Sequence, residues 1–196
     1  MNTRDDLEIV AFADVAQWES WLTEQHDRKP GGVWMKIAKK GSDMKTVTLP
    51  EALDVALCYG WIDSLCRRCD DTHYLQKYSP RRPRSSWSQV NVDKVEALIA
   101  AGRMREPGFA AIRAAKADGR WDAAYEPQRK ATVPDDLASA LKRNGRARAR
   151  FEELGRTGRY ALLLRLMKAR TPRARAAQLQ RIIVSLEQPG NGQDGG

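Results

Sequence analysis

The chain has 196 residues, with 34 Lys+Arg against 25 Asp+Glu and a formal net charge of +9. That length holds one ordinary domain, or a domain with a helical appendage, and can form a core without disulfide or metal. At 42% hydrophobic and 30% charged residues the composition is globular rather than disordered, and no apolar run approaches the roughly 20 residues that a bilayer demands.

In chain order, the polar, acidic start offers neither a signal h-region nor an Arg-rich transit helix, which predicts a cytoplasmic protein. Asp14, with Gln17 three residues on, caps a first helix whose stripe is Val15, Trp18, Trp21 and Leu22. A strand over 33–38 follows, closed by Lys39-Lys40-Gly41. Thr48-Leu49-Pro50-Glu51 is a capping box with proline in the first turn, opening a helix that stops at Gly60. Two short strands, about 63–68 and 73–79, are joined by Asp70-Asp71 as the turn. Asn91 is read as the cap of a helix carrying Val92, Val95, Leu98 and Ile99, with Gly102 as its stop, and Pro107 opens another that ends at Gly119.

Charge then separates two modules. Residues 1–126 hold 19 Lys+Arg against 19 Asp+Glu, whereas 127–188 hold 15 against 5, a net of +10. Every later segment reads helical: one capped by Thr132 with Pro134, Asp135 and Asp136 in its first turn, a short one with Phe151 and Leu154, one with Tyr160, Leu163, Leu164 and Met167, and one opened by Thr171-Pro172. The stripe of the last is Ala176, Leu179, Ile182, Ile183 and Leu186. The fold expected is α+β, a small mixed or antiparallel sheet with flanking helices over 1–126, then a basic all-helical module over 127–188 and a disordered tail over 189–196.

No catalytic set stands out. The only histidines are His26 and His73, and no nucleophile elbow, P-loop or dinucleotide-binding glycine motif is present. Cys66-Arg67-Arg68-Cys69 lacks the context of a redox motif and, with His73, supplies three zinc ligands rather than four, so it reads as two ordinary reduced cysteines; no metal or cofactor is expected. The segment that does stand out runs from Tyr78 through Pro80-Arg81-Arg82-Pro83-Arg84 to Ser85-Ser86-Trp87-Ser88 and Asn91. In a polyproline-II run, Arg81 and Arg84 would share an edge, with the Ser85, Ser86 and Ser88 hydroxyls as donors and Trp87 as a stacking surface. Trp61, Asp63 and Tyr74 lie beside them in this reading of an anion or ligand site. The alternative is structural: the arginines pair with Asp63, Asp70 or Asp71 and stack on Trp61 or Trp87. A separate possibility is nucleic-acid binding by Arg165, Lys168, Arg170, Arg173, Arg175 and Arg181, which no helix-turn-helix or RNA-binding signature supports.

Several strings follow one another in a recognisable order: Val33-Trp34-Met35-Lys36-Ile37-Ala38-Lys39-Lys40, Ala56-Leu57-Cys58-Tyr59-Gly60-Trp61-Ile62-Asp63, the Pro80 to Ser88 segment, Gly102-Arg103-Met104 and Asp118-Gly119-Arg120-Trp121. Val133-Pro134-Asp135-Asp136-Leu137, Phe151-Glu152-Glu153-Leu154 and Ala169-Arg170-Thr171-Pro172 continue the series. Over 10–188 the chain resembles the YdeI/OmpD-associated family, and its C-terminal part resembles the small helical region named for bacteriocin protection. The resemblance implies a bacterial protein of stress or antimicrobial-peptide tolerance, with a porin or other envelope protein as partner, and carries over no catalytic residues. Cys66 and Cys69 depart from the family pattern. The readings left open are a binding protein acting through a partner or an anionic ligand, a nucleic-acid-binding protein, and an enzyme on an anionic small molecule.

Overall fold

The computed structural model describes residues 7–188, and the tail expected over 189–196 lies outside them. The protein is α+β, with a four-stranded sheet in the N-terminal part and helices alone in the C-terminal part. Its described residues fall into two compact units, 7–87 with 91–122, and 88–90 with 123–188. Among these residues no helix is long and apolar enough to cross a membrane.

In the first unit, β1 (Ile9–Ala11) runs parallel to β2 (Val33–Ala38), which pairs antiparallel with β4 (His73–Pro80), and β4 pairs antiparallel with the edge strand β3 (Trp61–Arg68). The order is β1-β2-β4-β3, and the register of β3 slips between Asp63 and Cys66. The alternation of the pleat puts Val33, Met35, Tyr78 and Trp61 on one face. Against this face packs α1 (Val15–Gln25), opened by the Asp14 side chain, which accepts from the Gln17 amide at 3.0 Å. Trp18 of α1 is fully buried, 5.7 Å from the Tyr78 ring and 6.2 Å from that of Trp61, and its indole N–H donates to the Ala52 carbonyl of α2 (Leu49–Cys58). The Thr48/Glu51 capping box fixes the start of α2.

Gly32 shows why the sheet closes as it does. Its φ is +80°, and a Cβ there would stand 2.1 Å from the Tyr78 carbonyl oxygen, so only glycine brings the chain into β2 this close to β4. Beyond the sheet come α3 (Gln89–Ala100) and α4 (Glu106–Ala117). A Schellman pair ends α3: the Gly102 amide donates to Ile99 O and the Arg103 amide to Leu98 O.

The second unit consists of α5 (Asp135–Arg143), α6 (Gly145–Glu153), α7 (Arg156–Met167) and α8 (Pro172–Glu187) around a core of Leu137, Leu141, Phe151, Leu163, Leu166, Ile182 and Leu186. The Asn144 side chain caps α6 and the Thr171 hydroxyl caps α8. Arg175 of α8 grips Asp136 of α5 with two bonds, 2.6 and 2.9 Å, and donates to the Leu166 carbonyl of α7, so one guanidinium ties three helices together.

Four local expectations change. β1 has no counterpart among the expected elements. Helix α3 begins at Gln89, ahead of Asn91, because the Gln89 amide is already held by Tyr125 O. Helix α5 begins after Pro134 rather than at Thr132, since a proline pushes the residue before it out of helical geometry. Ala176 is exposed, and its neighbour Arg175 takes the inward position in that turn.

Candidate functional site

The Pro-Arg segment leaves the sheet at the end of β4. The Arg81 amide donates to Gly60 O, which holds the first residue after the strand beside the entry to β3. A tight turn follows, closed by the Ser85 amide on Arg82 O at 3.0 Å, so the extended polyproline geometry that would align Arg81 with Arg84 is interrupted. The turn folds the chain back. Trp87 then lies under Arg81, whose guanidinium carbon is 3.7 Å from the ring centroid while its NH1 donates to the Ser86 carbonyl at 3.4 Å.

Trp87 is 2% exposed and packs 5.0 Å from Trp121, centroid to centroid. Arg120, also buried, donates from Nε to both Asp118 oxygens and from NH1 to the Ser85 carbonyl at 3.1 Å. The residues following α4 therefore clamp the back of the segment. Neither Arg120 nor Trp121 stood among the expected site residues, because only tertiary folding brings 118–121 against 85–87.

Asp63 is the register partner of Tyr78 across the β3–β4 ladder. Burial pushes its carboxyl above the usual carboxylate range, and the positive charge of Arg81 opposes that shift. Burial also pushes the Tyr78 phenol far up, with the Asp63 charge adding to it. Tyr78 Oη, Ser85 Oγ and Trp87 Nε1 are buried with no hydrogen-bond partner among the described residues, and Trp34 Nε1, on the other face of the sheet, shares that state. Such atoms are uncommon in folded proteins, and each costs roughly 1–3 kcal/mol when nothing satisfies it.

Asp63, Arg81, Ser85 and Ser86 thus form a half-buried rim, with Tyr78 and Trp87 beneath. The other expected residues lie elsewhere. Arg84 is exposed on the turn. Trp61 is 1% exposed and belongs to the aromatic core, its indole N–H donating to His26 O. Tyr74, four residues or roughly 13 Å down β4 from Tyr78, lines a separate groove of about 820 Å³ with Ile37, Thr46 and Lys40. Ser88 pairs with Tyr125 inside the second unit, and Asn91 sits half-buried in the first turn of α3.

Cys66 and Cys69 are exposed free thiols, and Cys58 is buried. No cluster of three or more His, Cys, Asp or Glu among the described residues could hold a metal ion. Of the C-terminal cations, Arg165, Lys168, Arg170 and Arg181 line one groove, Arg173 is exposed on the first turn of α8, and Arg175 is committed to Asp136 and Leu166.

Two family models match the chain. Residues 10–111 match the one described as Domain of unknown function (DUF8412), and residues 130–188 match Bacteriocin-protection, YdeI or OmpD-Associated (OmdA). No curated protein and no solved structure matches.

Proposed function

We propose a function from the premise that the chain belongs to the DUF8412 family over residues 10–111 and to the bacteriocin-protection, YdeI or OmpD-associated family over 130–188: it supports tolerance of antimicrobial peptides by binding an anionic ligand, or an acidic segment of a partner, at the Asp63–Arg81–Trp87 rim. The observation that carries this reading is the set of buried polar groups without protein partners, Tyr78 Oη, Ser85 Oγ and Trp87 Nε1, gathered along one segment. Trp87 Nε1 can only donate, and the two hydroxyls can do so. With the Arg81 guanidinium above, the rim is rich in donors, which suits a carboxylate or phosphate oxygen.

Direct capture of cationic peptides fits poorly, because a chain of net charge +9 repels them. Tolerance then works through the ligand or partner rather than by sequestration. Burial pushes the Asp63 carboxyl up from its ordinary value, a direction that lessens its repulsion of an incoming anion.

The test is complementation. A bacterium lacking the gene and challenged with a cationic peptide regains tolerance from the wild-type chain, and Arg81→Gln restores less than a quarter of the gain while being present at wild-type level. Full restoration by Arg81→Gln, or no gain from the wild type, would overturn the reading.

A further inference from the structure

Residues 127–134 form no helix and reach α5 through a turn, in which the amides of Lys130 and Ala131 both donate to the Pro127 carbonyl. The Tyr160 hydroxyl of α7 donates to the Glu126 carbonyl at 2.8 Å and ties the start of this segment to the helix. Between the segment, the end of α6 and the start of α7 lies a groove of about 580 Å³, wholly within the second unit.

Its floor is apolar and continuous with the core: Leu163 is buried, and Ala131 and Leu154 pack against the same cluster. Its rim is basic. Arg129 and Arg156 are exposed, and neither has an ion-pair partner among the described residues. Arg159 donates from Nε and NH2 to the carbonyls of Phe151 and Glu152, which fix the guanidinium without neutralising it. No carboxylate lines the groove, and the two that end α6 are engaged elsewhere, Glu152 with Arg148 and Glu153 with Arg150, each at 2.8 Å. Gly155, the N-cap of α7, makes no side-chain cap, and the first turn of that helix holds no acid.

We propose that this groove binds a small amphiphilic carboxylate, its head at the arginine rim and its apolar chain along Leu154 and Leu163. Each part of the groove excludes a simpler occupant. An inorganic anion would satisfy the arginines and leave the leucines wet, whereas a neutral hydrocarbon would cover the leucines and gain nothing from the arginines. A carboxylate matches a planar guanidinium with two parallel hydrogen bonds, and Arg159, already fixed by its carbonyls, needs little further ordering. A cleft of several hundred Å³ with an apolar floor and a few charged groups also has the proportions of a small-molecule site. This inference is independent of the rim at Asp63 and Arg81, which lies in the other unit.

An NMR titration of the isotope-labelled full chain with sodium octanoate tests it. Amide shifts should map to residues 128–133 and 154–163, and hexanoate, two methylenes shorter, should bind about tenfold more weakly. Arg129→Gln/Arg156→Gln should weaken octanoate by about tenfold or more, while Arg173→Gln, on the exposed first turn of α8, leaves it unchanged. Arg129→Gln alone, a change in an exposed turn, carries the same test should the pair melt early. No shift with octanoate, equal binding of octanol or inorganic phosphate, equal affinity for hexanoate, or binding of a glutamate- and leucine-rich peptide where octanoate does not bind would overturn the proposal.

Discussion

Arginine does different work in the two units. In the first, Arg81 lies flat on a buried indole and Arg120 is wrapped around Asp118 and the Ser85 carbonyl, so each guanidinium is part of the packing. In the second, Arg175 grips Asp136 and Arg159 donates to the carbonyls of Phe151 and Glu152, while Arg173 and Arg181 stand on exposed positions of α8. The net charge of +9 points to the second unit, yet the candidate ligand rim is in the nearly neutral first. A charge total therefore says where an acidic polymer is attracted, and buried contacts say where a specific ligand is held.

The largest expected effect separates the units by stability. Gly32→Ala forces a Cβ against the Tyr78 carbonyl at a positive φ and should destabilise the first unit by more than about 3 kcal/mol. Arg181→Gln, on an exposed helix face, should stay within about 0.5 kcal/mol of wild type. Urea unfolding followed by far-UV circular dichroism reports both, with tryptophan fluorescence following the first unit, which holds all six tryptophans, and similar losses from the two changes would erase the distinction.

The pH dependence of two carboxyls sharpens it, because they are shifted in opposite directions. Asp63 is pushed up by burial, so the stability it favours is present below the ordinary carboxylate range and is lost as pH rises through its folded value. Asp63→Asn should thus match wild type near pH 3 and melt higher at pH 7. Asp136 is pulled down by the Arg175 hydrogen bonds, so its contribution is present at neutral pH and disappears as pH falls through its folded value. Asp136→Asn should melt lower at pH 7, with the gap closing in acid. Thermal melts of both variants from pH 2.5 to 7 check the crossing, and parallel curves would contradict it.

What could be read beforehand was local chemistry. The caps at Asp14, Thr48 with Glu51 and Thr171 place three helix starts, and the Asp70 turn joins the two strands expected on either side of it. Strand β1 escaped because three residues carry no periodicity and its parallel pairing with β2 depends on tertiary closure. For the site, Arg81, Trp87 and Asp63 were legible as chemistry, though the turn at 82–85 and the clamp by Arg120 and Trp121 were not. Tyr74 shares a strand with Tyr78, and strand length alone separates it from the rim. Arg175 looked like any other phosphate contact, since its partner Asp136 is 39 residues away.

The central claim is that the first unit keeps partnerless buried polar groups because a ligand uses them. Trp87→Phe tests it most directly: an aromatic ring is kept at this position, and the indole N–H is removed with part of the ring system. Deleting an unsatisfied N–H offsets part of the cost of the buried ring volume lost beside Trp121, so the variant should fold, with a stability loss of about 1–3 kcal/mol. In the peptide-challenge assay the account predicts that this folded variant protects no better than empty vector. Wild-type protection by Trp87→Phe would contradict it.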